Sequence, residues 1–168
     1  MNKHSLEQIK RYEEDLVEYG ILQEGEYKGI RWLARRPNAL PAIYWCGYVK
    51  IPDSFLDNEI DSVEFFSHGE FTGGFDGMTG FDCAHWGDFK FLTMQGNIFN
   101  SKTIYKDFPY VQRILFDMID RIIIIKLEKF FKNRIEKKCT PKIVSVSHLI
   151  YQNKSFSNQP ILESFISV

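Results

Sequence analysis

Ser67-His68-Gly69-Glu70-Phe71-Thr72-Gly73-Gly74-Phe75-Asp76-Gly77-Met78-Thr79-Gly80-Phe81-Asp82-Cys83-Ala84-His85-Trp86-Gly87-Asp88 is the stretch on which the fold turns. Gly73-Gly74 and Asp76-Gly77 are turn signals, since both pairs tolerate the left-handed backbone of a tight hairpin. Residues 79–84 read as the strand after that turn, and the alternating Ser62 to Phe66 as a strand before it. The same 22 positions carry two histidines, one cysteine, four acids and six glycines. That mixture is poor material for an ordinary core and good material for a site.

Outward from this stretch, residues 43–51 (Ile-Tyr-Trp-Cys-Gly-Tyr-Val-Lys-Ile) are rich in β-formers and stop at Pro52, which predicts another strand. Lys90 to Met94 is a fourth strand or a bend. Toward the amino terminus, residues 5–19 have helical spacing. Ser5 and Gln8 stand as a capping-box pair, Leu6, Ile9 and Leu16 with Tyr12 or Tyr19 form an apolar stripe, and Gly20 is the stop. Tyr27 to Ala34 reads as a short strand, followed by a loop through Pro37 and Pro41. The cluster Arg31, Arg35, Arg36 reads as solvated loop cations, with phosphate contact as the alternative.

From Lys106 the apolar period becomes helical. One stripe is Val111, Ile114/Leu115, Met118, Ile122, Ile125; a neighbouring one is Phe116, Ile119, Ile123, Leu127, Phe130. The helix starts near Pro109 and runs to about Lys138. Being apolar on two faces, it should be buried against the sheet and against another helix or chain, so a homodimer through 109–131 is expected. Residues 143–146 and 161–168 read as strands or extended arms. The fold class is therefore α+β: a small antiparallel sheet packed by an amino-terminal helix and a long helix in the carboxy-terminal half. The division is an α+β domain over 1–125, then a basic helix end and extended tail over 126–168.

With 168 residues, 44% hydrophobic and 26% charged, the chain is suited to one folded domain with an appendage. Its net charge of −1 hides an asymmetry. Ile51 to Phe89 contains nine acids and no Lys or Arg, whereas Lys126 to Lys142 holds seven basic residues against two acids. Three cysteines make no even disulfide framework and match no zinc-ribbon spacing, so free thiols in a reducing cytosol are expected. The start lacks the apolar region of a signal peptide. The longest uninterrupted isoleucine run, Ile122 to Ile125, is far short of a membrane span, so a cytoplasmic location without membrane contact is expected.

Three kinds of chemistry compete for the central stretch. In the first, Cys83 is a nucleophile with His85 or His68 as base and Asp82 or Asp88 as orienter. An extended 80–85 would put Phe81, Cys83 and His85 on one face, with Cys83 and His85 about 7 Å apart at Cα. A thiolate needs a positive neighbour, however, and the window carries only acids. In the second, His68, Cys83, His85 and an acid hold a transition metal, although Cys-x-His is not a common structural spacing. The third involves no bond making: Glu70, Asp76, Asp82, Trp86 and Asp88 form an acidic, aromatic surface that binds a cationic partner. The third leads, and with it no cofactor and no metal are expected. Thr72 to Gly77 lacks the Gly-Lys-Ser/Thr ending of a phosphate loop. Nucleic-acid contact, if any, belongs to the tail, at Lys129, Lys132 and Lys137.

Trp45-Cys46-Gly47-Tyr48-Val49, Ser67 to Thr72, Gly80 to Asp88, and Tyr105-Lys106-Asp107 with Tyr110-Val111 together resemble a family of small bacteriophage and prophage proteins. That family shows a Gly-Tyr-Val strand, a His-Gly-Gly-x-Thr turn and a Gly-Phe-Asp-Cys-x-His-x-Gly-Asp segment. The resemblance covers roughly residues 43 to 124, and Glu70 stands where the turn has its second glycine. It implies a mobile-element accessory protein, a class in which inhibitors of host defence are frequent, and it implies no enzyme class. The functional expectation is a non-catalytic binding protein that inhibits a host factor, in the manner of anti-CRISPR proteins. The target would be a host protein such as a nucleic-acid-processing defence enzyme. A Cys/His-dependent hydrolase or metal-binding enzyme, and a nucleic-acid binder acting through 126–142, are the alternatives.

Overall fold

The computed structural model describes residues 3–37, 44–85, 88 and 103–139. The chain divides into two units, Met1–Glu128 and Lys129–Val168. Three helices and five strands follow in order: α1 Lys3–Tyr19, β1 Leu22–Tyr27, β2 Ile30–Arg35, β3 Cys46–Val49, α2 Asp57–Glu64, β4 Gly73–Phe75, β5 Met78–Asp82 and α3 Phe108–Cys139. The strands form one sheet in the order β1-β2-β3-β5-β4, and every neighbouring pair is antiparallel. The fold is α+β, as the residue patterns predict.

Both end hairpins close through two successive left-handed residues, Lys28 and Gly29 (φ 51° and 76°) and Asp76 and Gly77 (φ 53° and 67°). This backbone matches the right-handed twist of the strands it joins. The Asp76-Gly77 turn was legible in sequence, but its first strand is the three-residue β4 rather than Ser62 to Phe66. Those residues lie in and just after α2. Asp57 and Glu59 sit in its first turn, where carboxylates favour the positive end of the helix dipole. Glu59 also accepts the Leu56 N–H at 2.7 Å. With Ile60 packed on the core and Val63 fully buried, the three-residue step outweighs a short alternation. The stretch 21–37 also differs from expectation: it is a β1–β2 hairpin, in which Arg31 and Arg35 are strand residues.

One sheet face carries Ile30, Trp32, Ala34, Val49 and Phe81 into the core, where α3 supplies Val111, Leu115, Met118, Ile119, Ile122 and Ile125. Each such aliphatic side chain contributes about 1.5–3 kcal/mol by leaving water. Phe116 of α3 stacks on Tyr27 at 4.2 Å between ring centroids. Of the second apolar stripe, Leu127 and Phe130 are exposed.

Helix α1 buries an unexpected face. Its buried residues are Ser5, Gln8 and Asp15, whereas Leu6 is exposed. Gln8 does not cap the helix; its side-chain oxygen accepts the Tyr105 N–H at 2.7 Å. Gly20 ends the helix as expected, at φ +69°, its N–H bonded to the Leu16 carbonyl. Lys90–Met94 and the carboxy-terminal strands at 143–146 and 161–168 lie outside the described residues. No helix among the described residues is long and apolar enough to cross a membrane.

Candidate functional site

Three chain segments meet at Asp88. His68 comes from the loop after α2, His85 and Asp88 from the turn after β5, and Lys106 and Tyr110 from the entry to α3. Asp88 is buried. Its Oδ2 receives His68 Nε2 at 2.7 Å and the His85 backbone N–H at 3.0 Å. The Asp88 N–H returns a bond to the His85 carbonyl. Lys106 Nζ stands 3.9 Å from Asp88 Oδ1. On its other side, His68 Nδ1 lies 2.8 Å from the Tyr110 hydroxyl. An ionised carboxylate only accepts, so beside an ionised Asp88 the Nε2 atom carries the proton and Nδ1 of the neutral ring accepts the Tyr110 O–H. The result is a Tyr110–His68–Asp88 chain of hydrogen bonds.

His85 completes the group. Its ring lies edge-on to His68, with centroids 5.4 Å apart. Its Nδ1 is 3.9 Å from Asp82 Oδ1 and equally far from Asp88 Oδ2. That atom is buried and has no hydrogen-bond partner among the described residues. Gly69, at φ +83°, lets the ring approach: a β-carbon there would lie 2.7 Å from His85 Nε2. Asp82 accepts the Ala84 N–H at 3.0 Å, which bends the chain out of β5 before His85. The predicted shared strand face of Phe81, Cys83 and His85 therefore ends after Asp82, because the carboxylate closes a turn there.

Cys83 lies beneath this group and is 1% exposed. Burial, and then the Asp88 charge, raise its thiol pKa well above the ordinary value. The thiol stays protonated and out of reach of solvent, which disfavours nucleophilic attack by this residue. Tyr110 is likewise raised, first by burial and then by Cys83 and Asp88. Lys106 and Arg113 lie over its ring, 4.7 Å and 5.3 Å from the centroid.

The acidic window does not present all its carboxylates to solvent. Asp88 is enclosed, and Glu64 accepts the Phe71 N–H. Asp76 pairs with Arg31 at 2.9 Å, in the turn between β4 and β5. Asp57, Asp61 and Glu70 are exposed. Trp86 lies outside the described residues. In the second unit Lys132 is exposed, Arg134 lies over the Phe130 ring at 5.4 Å, and Lys137 belongs to α3. Sequence reasoning did not single out Tyr110 or Lys106 as site residues. Their only signal was the Tyr105-Lys106-Asp107 and Tyr110-Val111 motif.

The chain matches no known family model, curated protein or solved structure.

Proposed function

We propose that the protein is a non-catalytic binding protein that lays an acidic, aromatic-tipped face on a basic surface of a host protein. In this reading it inhibits a nucleic-acid-processing defence enzyme. The observation that carries the reading is one exposed stripe. Asp57, Asp61 and Phe65 follow one another at four-residue intervals along α2 and its carboxy-terminal cap, so they share a helix face. Both acids are exposed, and Phe65 is 83% exposed. A large ring left in water beside unscreened carboxylates costs solubility and favours contact with a partner. Opposite charge on that partner speeds and orients docking. Phe66, edge-on to Phe65 at 5.5 Å, and the exposed Leu56 extend the patch. The motif resemblance to phage proteins supports a partner on the host side. The buried, protonated Cys83 weighs against the hydrolase alternative. Self-association through 109–131 would cover Ile124 and Leu127, which stand about half exposed.

Affinity capture from host lysate tests this, with the wild-type chain beside Asp57→Lys/Asp61→Lys and Phe65→Ala. The wild type should retain one nucleic-acid-processing enzyme, and added salt should weaken that capture. Each variant should lose on the order of tenfold or more in affinity, as expected of a central aromatic or charged contact. Equal capture by the charge-reversed chain would sink the reading.

A further inference from the structure

We propose that His68, His85 and Asp88 form a binding site for one divalent transition-metal ion, zinc foremost, with a coordination position left open for water or a small anion. This site is separate from the acidic stripe and does not depend on it.

The donor atoms supply the first argument. One ligand atom from each of the three residues lies within 4.8 Å of the others. Two ligands bound to zinc at about 2.0–2.1 Å in a tetrahedron stand roughly 3.3–3.4 Å apart. The 3.9 Å between His85 Nδ1 and Asp88 Oδ2 is too long for a hydrogen bond and close to that spacing. The 2.7 Å between His68 Nε2 and Asp88 Oδ2 has to widen by about half an ångström, within the reach of a side-chain rotation.

The second argument is the unmatched atom. Leaving a buried imidazole nitrogen without a partner costs about 1–3 kcal/mol. His85 Nδ1 bears that cost, while its ring is held in place by the space above Gly69. An ion between Nδ1 and Oδ2 supplies the missing contact.

The third argument is the support behind His68. A metal-bound imidazole donates its other N–H to an outer partner, which sets its tautomer. The Tyr110 hydroxyl sits 2.8 Å from His68 Nδ1 and can serve. When the ion takes Nε2, the proton moves to Nδ1 and Tyr110 changes from donor to acceptor, a role open to any phenol.

Lys106, 3.9 Å from Asp88 Oδ1, opposes a cation. It also neutralises the single carboxylate, so the bound ion keeps excess positive charge and its open position favours an anion. The donor set is two nitrogens and one oxygen without Cys83, which suits zinc and also iron(II) or manganese with exchangeable ligands.

The test uses the full chain without an affinity tag, stripped with a chelator and titrated calorimetrically with zinc sulfate. One equivalent should bind. His85→Ala and Asp88→Asn should each weaken binding by on the order of 100-fold, and Tyr110→Phe by roughly tenfold, within the usual range for an outer partner. Cobalt(II) should give visible d–d bands without a thiolate charge-transfer band, and Cys83→Ser should leave its spectrum unchanged. Asp57→Lys/Asp61→Lys should bind zinc like the wild type, which separates this proposal from the docking face. Absence of a stoichiometric ion, a thiolate band, or full affinity in His85→Ala would each overturn it. His85 is more than one-third exposed, so this variant should fold even if a His68 variant does not.

Discussion

Asp15 and Asp88 are both 5% exposed, yet their surroundings differ in one respect. Asp15 is closed. Its Oδ2 receives Arg36 Nη2 at 2.6 Å, Trp45 Nε1 at 2.7 Å and the Tyr105 hydroxyl at 2.7 Å, while Oδ1 receives the Phe108 N–H. The Arg36 guanidinium is framed by the rings of Trp45, Tyr12 and Tyr105, at 4.4, 4.8 and 5.8 Å. These contacts tie α1 to the end of β2, the start of β3 and the first residue of α3. Asp88 is open: it has two donors on one oxygen, a lysine at 3.9 Å and an adjacent imidazole nitrogen without a partner. Burial of a carboxylate is therefore no sign of function by itself. What separates a structural hub from a site is whether the surrounding donors and acceptors are used up.

The largest test of this contrast is Asp15→Ala. It strands a buried guanidinium and three other donors, and breaking such a pair costs about 3–5 kcal/mol. Urea unfolding should show the loss; a cost below about 1 kcal/mol would mean that the hub is not closed.

Next comes alkaline stability on the Asp88 side of the sheet. Burial pushes the Cys46 thiol up to about 11 from an ordinary value of 9.0, and Cys83 moves in the same direction. Both pKa values are raised on folding, so their contribution is fully present below pH 9. Above it the unfolded chain loses protons that the folded chain keeps, and stability falls as pH rises toward 11. For Cys46 the shift corresponds to about 2–3 kcal/mol. Unfolding midpoints at stepped pH should decline across that window, less steeply in Cys46→Ala.

Gly69→Ala should cost about 1–3 kcal/mol, because the residue sits at positive φ and the new methyl meets His85. If that ring is the ligand proposed above, zinc affinity should fall with stability. The smallest effect on folding is expected for His85→Ala, within about 0.5 kcal/mol of wild type in metal-free protein. This variant removes the unmatched nitrogen, while zinc binding is lost. A chemical melt and a titration on the same sample would show whether the two properties separate as they should at an open site and not at a closed one.

Much of the architecture was legible without coordinates. The α3 stripe from Val111 to Ile125 repeats too regularly to be anything but a buried helix face, and Asp76-Gly77 specifies its turn through local backbone preference alone. Such features depend on residues within a few positions of one another. The Ser62–Phe66 alternation misled because five residues cannot outweigh a helix start that favours acids in its first turn. Local pattern also failed on α1, where side-chain hydrogen bonds to residues about 90 positions away make a polar face the buried one.

The site divides in the same way. Composition alone marked residues 67–88 as unsuited to a core and supplied both histidines, the thiol and the carboxylate. Only tertiary structure decided that His68 and Asp88, 20 positions apart, are bonded, that Tyr110 stands behind them, and that Cys83 is sealed below. Those relations depend on where α3 and the loop after α2 come to rest on the sheet. Residue identities determine which donors and acceptors exist, while packing determines which of them meet and which are left without a partner.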